Sequence, residues 1–205
     1  MKGQIQKINY QKQLDEILKS INPQEKKPTL LLHACCGPCS SYVIEYLSSY
    51  FDITIFYYNP NIYPKKEYER RLNELEDFIP RFEPAVKNKV KIVVSTYEPK
   101  DFFEATNILN EVELQQEAEK GIRCRRCYEF RMKKAYAYAV ENNFDWFCTT
   151  LSISPFKDSV MINEIGTELE EENSVRFLTS DFKKKGGFLR SLELSREYGL
   201  YRQDY

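Results

Sequence analysis

Short apolar runs alternate with amphipathic stretches along this chain. Residues 29–34 (Thr-Leu-Leu-Leu-His-Ala) form a run broken only by His33, the pattern of a strand buried on both faces. Residues 53–58 are β-branched and aromatic and predict a second strand, stopped by Asn59-Pro60-Asn61. Residues 90–94, 146–151 and 175–178 predict a third, fourth and fifth strand. The stretches between read as helices. One covers 40–50, with Ser40 or Ser41 available as its cap. A second covers 65–79, with Tyr68, Leu72, Leu75 and Phe78 or Ile79 on one face. Residues 99–120 predict helical segments broken near 107–110. Further helices are expected from the cysteines near 124 to about residue 142, over 157–173 and over 188–198.

This alternation predicts an α/β fold, a mostly parallel sheet with helices on both faces. Ligands in such folds sit at the carboxyl ends of the strands. The loops at 33–36, 59–61 and 149–152 each follow a predicted strand and would share one rim. The sequence holds no internal repeat, low-complexity tract or linker, so residues 1–205 are expected to form one domain. A helical insertion over about 99–142 would form a subdomain.

At 205 residues, 42% hydrophobic and 30% charged, the chain reads as a soluble globular protein with a full-sized core. No run reaches the length of a membrane span, so no membrane association is expected. The start, Met1-Lys2-Gly3-Gln4, lacks a signal peptide's apolar stretch, which predicts a cytoplasmic protein with reduced thiols. The net charge of −1 conceals local bias. Residues 123–134 carry Arg123, Arg125, Arg126, Arg131, Lys133 and Lys134 against Glu129 alone. Residues 164–172 carry Glu164, Glu168, Glu170, Glu171 and Glu172 with no base. A basic run beside cysteines suits an anion such as nucleic acid, although a charge run by itself is more often a solvated helix face.

Five of the six cysteines fall in two clusters, His33-Ala34-Cys35-Cys36-Gly37-Pro38-Cys39 and Arg123-Cys124-Arg125-Arg126-Cys127. Thiolates at C-x-x-C spacing suit zinc, an iron–sulfur cluster or a redox disulfide. Cys36-Gly37-Pro38-Cys39 between a strand and a helix fits a thiol-disulfide oxidoreductase, whose thiolate gains from a helix N-terminus. The adjacent Cys35 and the second pair are features that chemistry does not need. A zinc-stabilised RNA-binding module is the other alternative, although zinc pairs usually lie closer in sequence. Cys148, inside an apolar strand, reads as a small buried hydrophobe. His33 is the only histidine, placed either for packing or for proton transfer beside Cys35.

Several segments together resemble the cobalamin-independent epoxyqueuosine reductase family. They are Leu31 to Ser40, Tyr58-Asn59-Pro60-Asn61-Ile62, Gly121 to Tyr128 with Arg131, Thr149 to Lys157, Asp181 to Phe188, Arg190-Ser191 and Glu197 to Gln203. The resemblance runs from about residue 28 onward. Relatives often continue past Tyr-Arg-Gln into Cys-Gly-Cys; the sequence ends at Tyr205 without that pair, so no role for it is expected.

The resemblance implies a fold similar to the ATP-pyrophosphatase-like (adenine nucleotide alpha hydrolase-like) proteins. Cys-Cys-Gly-Pro-Cys-Ser would occupy the place of their phosphate loop, and without a Gly-rich loop no ATP use is expected. It implies reduction and deoxygenation of epoxyqueuosine to queuosine at the wobble position of tRNA, with a [4Fe–4S] cluster and an additional iron. An unidentified low-potential donor would supply the electrons. On that basis Cys35, Cys36, Cys124 and Cys127 are expected to hold the metals, with Cys39 either a further ligand or a packed helix-start residue. Asp158 and His33 are the expected proton donors. Arg123, Arg125, Arg126, Lys183, Lys184 and Lys185 are expected on tRNA phosphates, and Tyr58, Tyr63, Tyr128 and Phe156 are candidates to stack on bases.

Overall fold

Strand β1 (Thr29–Ala34) is buried along nearly its whole length because it lies at the centre of the sheet. A computed structural model describes residues 8–22, 25–171 and 174–203. Met1 to Gln4, Glu172 and Tyr205, used in the sequence reading, lie outside the described residues. β1 pairs in parallel with β2 (Asp52–Tyr57) on one side and β4 (Trp146–Thr149) on the other. β3 (Lys91–Val94) extends the sheet beyond β2, and β5 (Arg176–Phe177) beyond β4, giving the order β3-β2-β1-β4-β5. Every pairing is parallel, as the α/β reading expected. The chain builds outward from β1 in one direction, then returns to build in the other. The crevice between β1 and β4 is thus the switch point where such sheets bind ligands.

Side chains alternate across the sheet and divide the core into two layers. Leu30, Leu32 and Ala34 face one layer and Leu31 the other. The first layer is closed by α1 (Tyr10–Ser20), α2 (Gly37–Leu47), α3 (Lys65–Phe78), α4 (Glu83–Lys87) and α9 (Gly187–Glu197). The second is closed by α7 (Ile122–Glu141) and α8 (Ser159–Glu171). Two helices precede α7: α5 (Pro99–Thr106), which packs on it, and α6 (Val112–Gln115). Among the described residues, no helix is long and apolar enough to cross a membrane.

The structure corrects three expectations. α2 begins at Gly37, three residues early, with Pro38 in its first turn where the missing N–H costs nothing. Ser40 and Ser41 therefore lie inside the helix and donate to the carbonyls of Cys36 (2.7 Å) and Pro38 (3.0 Å) instead of capping. The fourth strand stops at Thr149, and Thr150–Ile153 forms a 3-10 turn. Helix α1 was missed in the sequence, although Asn9 caps it and Leu14 and Leu18 form its buried stripe.

Candidate functional site

Leaving β1, the chain passes through Cys35 and Cys36 directly into α2. Cys36 takes the cap position and Cys39 ends up within the first turn, so a spacing of three brings both sulfurs to one side. The sulfurs of Cys35, Cys36 and Cys39 lie within 4.8 Å of one another. Cys35 and Cys36 are 3.7 Å apart, and all are free thiols. The Cys35 thiol is held well below its ordinary pKa, first by S–H donation from Cys36 and Cys39, then by the charges of Arg131 and Arg71. Cys36 and Cys39 are raised by the same proton sharing with Cys35 and by burial. The α2 N-terminus adds partial positive charge beside them.

His33 and Asn59 fix this loop to its neighbours. The Thr149 hydroxyl lies 3.0 Å from His33 Nδ1, and the Tyr58 carbonyl lies 3.1 Å from Nε2. A carbonyl only accepts, so the proton sits on Nε2 and the Thr149 hydroxyl donates to Nδ1. Burial, and then Arg131, push the His33 pKa down to about 4, so the ring is neutral. Asn59 donates to the Ala34 carbonyl at 2.8 Å, while its Oδ1 is buried without a partner. Asp158 is engaged differently: its Oδ1 caps α8, accepting from the N–H groups of Val160 (2.9 Å) and Met161 (3.2 Å).

The second cysteine pair sits in the first turns of α7. Glu117 caps this helix, its carboxylate accepting from the N–H groups of Ile122 (2.9 Å) and Arg123 (2.7 Å). A β-carbon on Gly121 would stand 2.1 Å from that carboxyl carbon, which is why glycine precedes the helix. Cys124 is buried; its sulfur donates to Glu119 at 3.4 Å and accepts from the Lys120 N–H at 3.4 Å. Cys127 is half-buried, and its carbonyl accepts from Arg131 at 3.2 Å. Neither belongs to the close sulfur group among the described residues. Two links connect them to it. Arg131 acts electrostatically on Cys35, and Lys157 pairs with Glu119 at 3.6 Å while lining a cavity with Cys35 and Cys39.

That cavity holds about 270 Å³, with Phe156, Lys157, Phe188 and Arg202 in its wall. A smaller one of about 60 Å³ adjoins Cys36 and Cys39. Sequence reasoning missed Glu74, Glu117, Glu119 and Arg202 as site residues. No local sequence pattern marks a carboxylate that reaches the Tyr201 amide, as Glu74 does, the α7 N-terminus, as Glu117 does, or the Cys124 thiol, as Glu119 does. Burial removes Tyr58 and Tyr128 from the stacking candidates, since both pack in the second core layer. Tyr63 and Phe156 are exposed.

The expected RNA-binding cations are mostly partnered by acids. Arg125 pairs with Glu129, Glu164 and Glu168, so the basic and acidic runs of the sequence meet across α7 and α8. Arg126 pairs with Glu111 at 2.7 Å. Lys183 and Lys184 share Asp181, and Lys185 pairs with Asp15. Arg123 donates to the Gln115 carbonyl at 3.3 Å. Cys148 is a buried hydrophobe as expected, its thiol raised to about 12 by burial.

The fold is α/β with a parallel sheet, and at its switch point three thiols, beside a cavity of mixed polarity, are close enough together to hold a metal ion. A family model for "Epoxyqueuosine reductase QueH" matches residues 30–205. Curated proteins of that name are similar throughout. The Streptococcus pyogenes protein is 38% identical over 98% of this chain and 76% of its own length. The Staphylococcus epidermidis protein is 39% identical over 98% and 83%. The Thermotoga maritima protein is 33% identical over 86% of each chain. The chain belongs to the epoxyqueuosine reductase QueH family, and it is an oxidoreductase.

Proposed function

We propose that this chain removes the epoxide oxygen of epoxyqueuosine at the wobble position of tRNA, giving queuosine, and that its thiol group holds the metal for that reaction. The observation carrying this reading is the convergence of Cys35, Cys36 and Cys39 beside the larger cavity in a chain of this family. The donor set fits: soft thiolates select iron–sulfur clusters and zinc over hard cations. Cys35, Cys36, Cys124 and Cys127 are the proposed ligands, and the proximity of its sulfur adds Cys39. Bound there, a [4Fe–4S] cluster with an adjacent iron supplies electron transfer and a Lewis-acid seat for oxygen.

The reaction breaks two C–O bonds and forms one C=C bond. Two electrons from an external low-potential donor and two protons enter, and water leaves. The chain's own part is binding and orientation. Phe156 is exposed at the cavity and suited to stack on the base, while Lys157 and Arg202 are suited to flanking phosphates. Arg123, Arg125, Arg126, Lys183, Lys184 and Lys185 would take phosphate by exchanging their present partners. His33 orients the loop between β1 and α2. Asp158, whose two capping bonds both fall on Oδ1, is the proposed proton carrier through Oδ2. A tRNA substrate implies a cytoplasmic protein.

Anaerobic reconstitution followed by iron, sulfide and zinc analysis tests the metal assignment. Brown protein with about four or more irons is expected, and Cys124→Ser or Cys127→Ser should lose most of that iron, since serine oxygen is a harder ligand. Colourless zinc protein without turnover would favour the RNA-binding alternative.

A further inference from the structure

Past α9 the chain turns at Gly199 (φ 64°), and the Leu200 N–H bonds back to the Ser195 carbonyl at 2.7 Å. Residues 201–203 then run across the thiol group. Arg202 and Gln203 line the smaller cavity together with Cys36 and Cys39, and the larger one together with Cys35 and Cys39. Pro38 and Cys39 also border both spaces, so Arg202 and Gln203 are the part of the shared wall that comes from the C-terminal segment.

Side-chain contacts hold this wall. The Arg70 guanidinium stands 3.4 Å from the centre of the Tyr201 ring. Arg202 donates to Ser195 Oγ at 3.3 Å and lies over the Phe188 ring. Glu74, on α3, accepts the Tyr201 backbone N–H on Oε1. Its Oε2 is buried without a partner. That oxygen would lie 3.3 Å from a β-carbon on Gly37, with Leu200 3.7 Å from the same point. Glu74 thus sits between the first residue of α2 and the C-terminal segment, against both. Leaving a buried carboxyl oxygen unpaired is costly, and the bond this carboxyl does make is to the segment that walls the site.

We propose that Glu74 is a positioning residue for the thiol site: by holding the Tyr201 amide it fixes Arg202 and Gln203 in the wall between the cavities, and so limits access to Cys36 and Cys39. The inference deepens the reading of this rim as the reaction centre. Its test needs neither metal nor tRNA, so the two can fail separately.

The experiment times iodoacetamide alkylation of the full-length, reduced, metal-free protein, with mass-spectrometric readout at each cysteine. Glu74→Ala is expected to speed alkylation of Cys36 and Cys39 about ten-fold, the population shift that loss of one charge-assisted hydrogen bond produces, with the Cys127 rate unchanged. Glu74→Gln retains an oxygen acceptor for the same N–H and should stay within about two-fold of wild type. Arg70→Ala alters an exposed residue, releases the Tyr201 ring and should raise the same two rates a few-fold; it decides the matter if Glu74→Ala does not fold. Wild-type rates in folded Glu74→Ala or in Arg70→Ala would overturn the proposal. So would equal rates in Glu74→Gln and Glu74→Ala, which would make charge, not the bond, the cause.

Discussion

Both ring nitrogens of His33 are engaged in joining strand ends, Nδ1 to Thr149 of β4 and Nε2 to the carbonyl that follows β2. In sequence, its position two residues before Cys35 suggested proton transfer; a linear chain gives no sign of the cross-strand partners that occupy the ring. His33→Ala would leave the Tyr58 carbonyl without its His33 donor and the Thr149 O–H without its acceptor, the Thr149 oxygen keeping only the Leu151 N–H, and would open a cavity, a loss of about 2–5 kcal/mol. A thermal midpoint lowered by several degrees in the reduced, metal-free protein is expected; an unchanged midpoint would contradict this account. Cys39 shows a different limit. The C-x-x-C spacing was plain, but its meaning depended on where α2 starts. A start near residue 40 left Cys39 open, whereas a start at Gly37 brings its sulfur to the other two.

At the scale of elements, α7 was legible as a helix opening at the second cysteine pair, but what fixes its start was not. Glu117 reaches forward to two N–H groups of the first turn, and Gly121 makes room for it. Gly121→Ala should push the carboxylate aside and cost about 1–2 kcal/mol, the usual loss for a helix cap. Faster amide exchange at Ile122 and Arg123 would register it, and exchange unchanged from wild type would refute it. The charges of α7 read as a possible RNA patch because the glutamates of α8 are about forty positions away in sequence, a separation over which only the fold pairs them. Arg125 is held by three carboxylates and Arg126 by one, but these pairs are partly exposed and can be exchanged for phosphate, so Arg125→Ala/Arg126→Ala should weaken tRNA binding and reduce its salt slope by roughly one per lost contact. An affinity unchanged at both low and high salt would return both residues to a solvated helix face.

For the whole molecule, the parallel sheet and its rim followed from the alternation of apolar runs and helical stretches, because each buried strand carries its own periodic signature. Strand order does not, and it is the order β3-β2-β1-β4-β5 that makes the end of β1 the switch point. Nor could the sequence show that the C-terminal segment returns to wall the cysteine cavities. The central claim joins this geometry to one reaction: the thiols at the end of β1 support reductive removal of an epoxide oxygen. Its most direct test gives anaerobically reconstituted protein a low-potential reductant and tRNA bearing epoxyqueuosine, then analyses the digested nucleosides by mass spectrometry. Wild type should yield queuosine, and Cys35→Ala should yield none while retaining a recognisable cluster spectrum. Wild type that leaves epoxyqueuosine intact while reducing protein disulfides, or Cys35→Ala that turns over at the wild-type rate, would contradict the account.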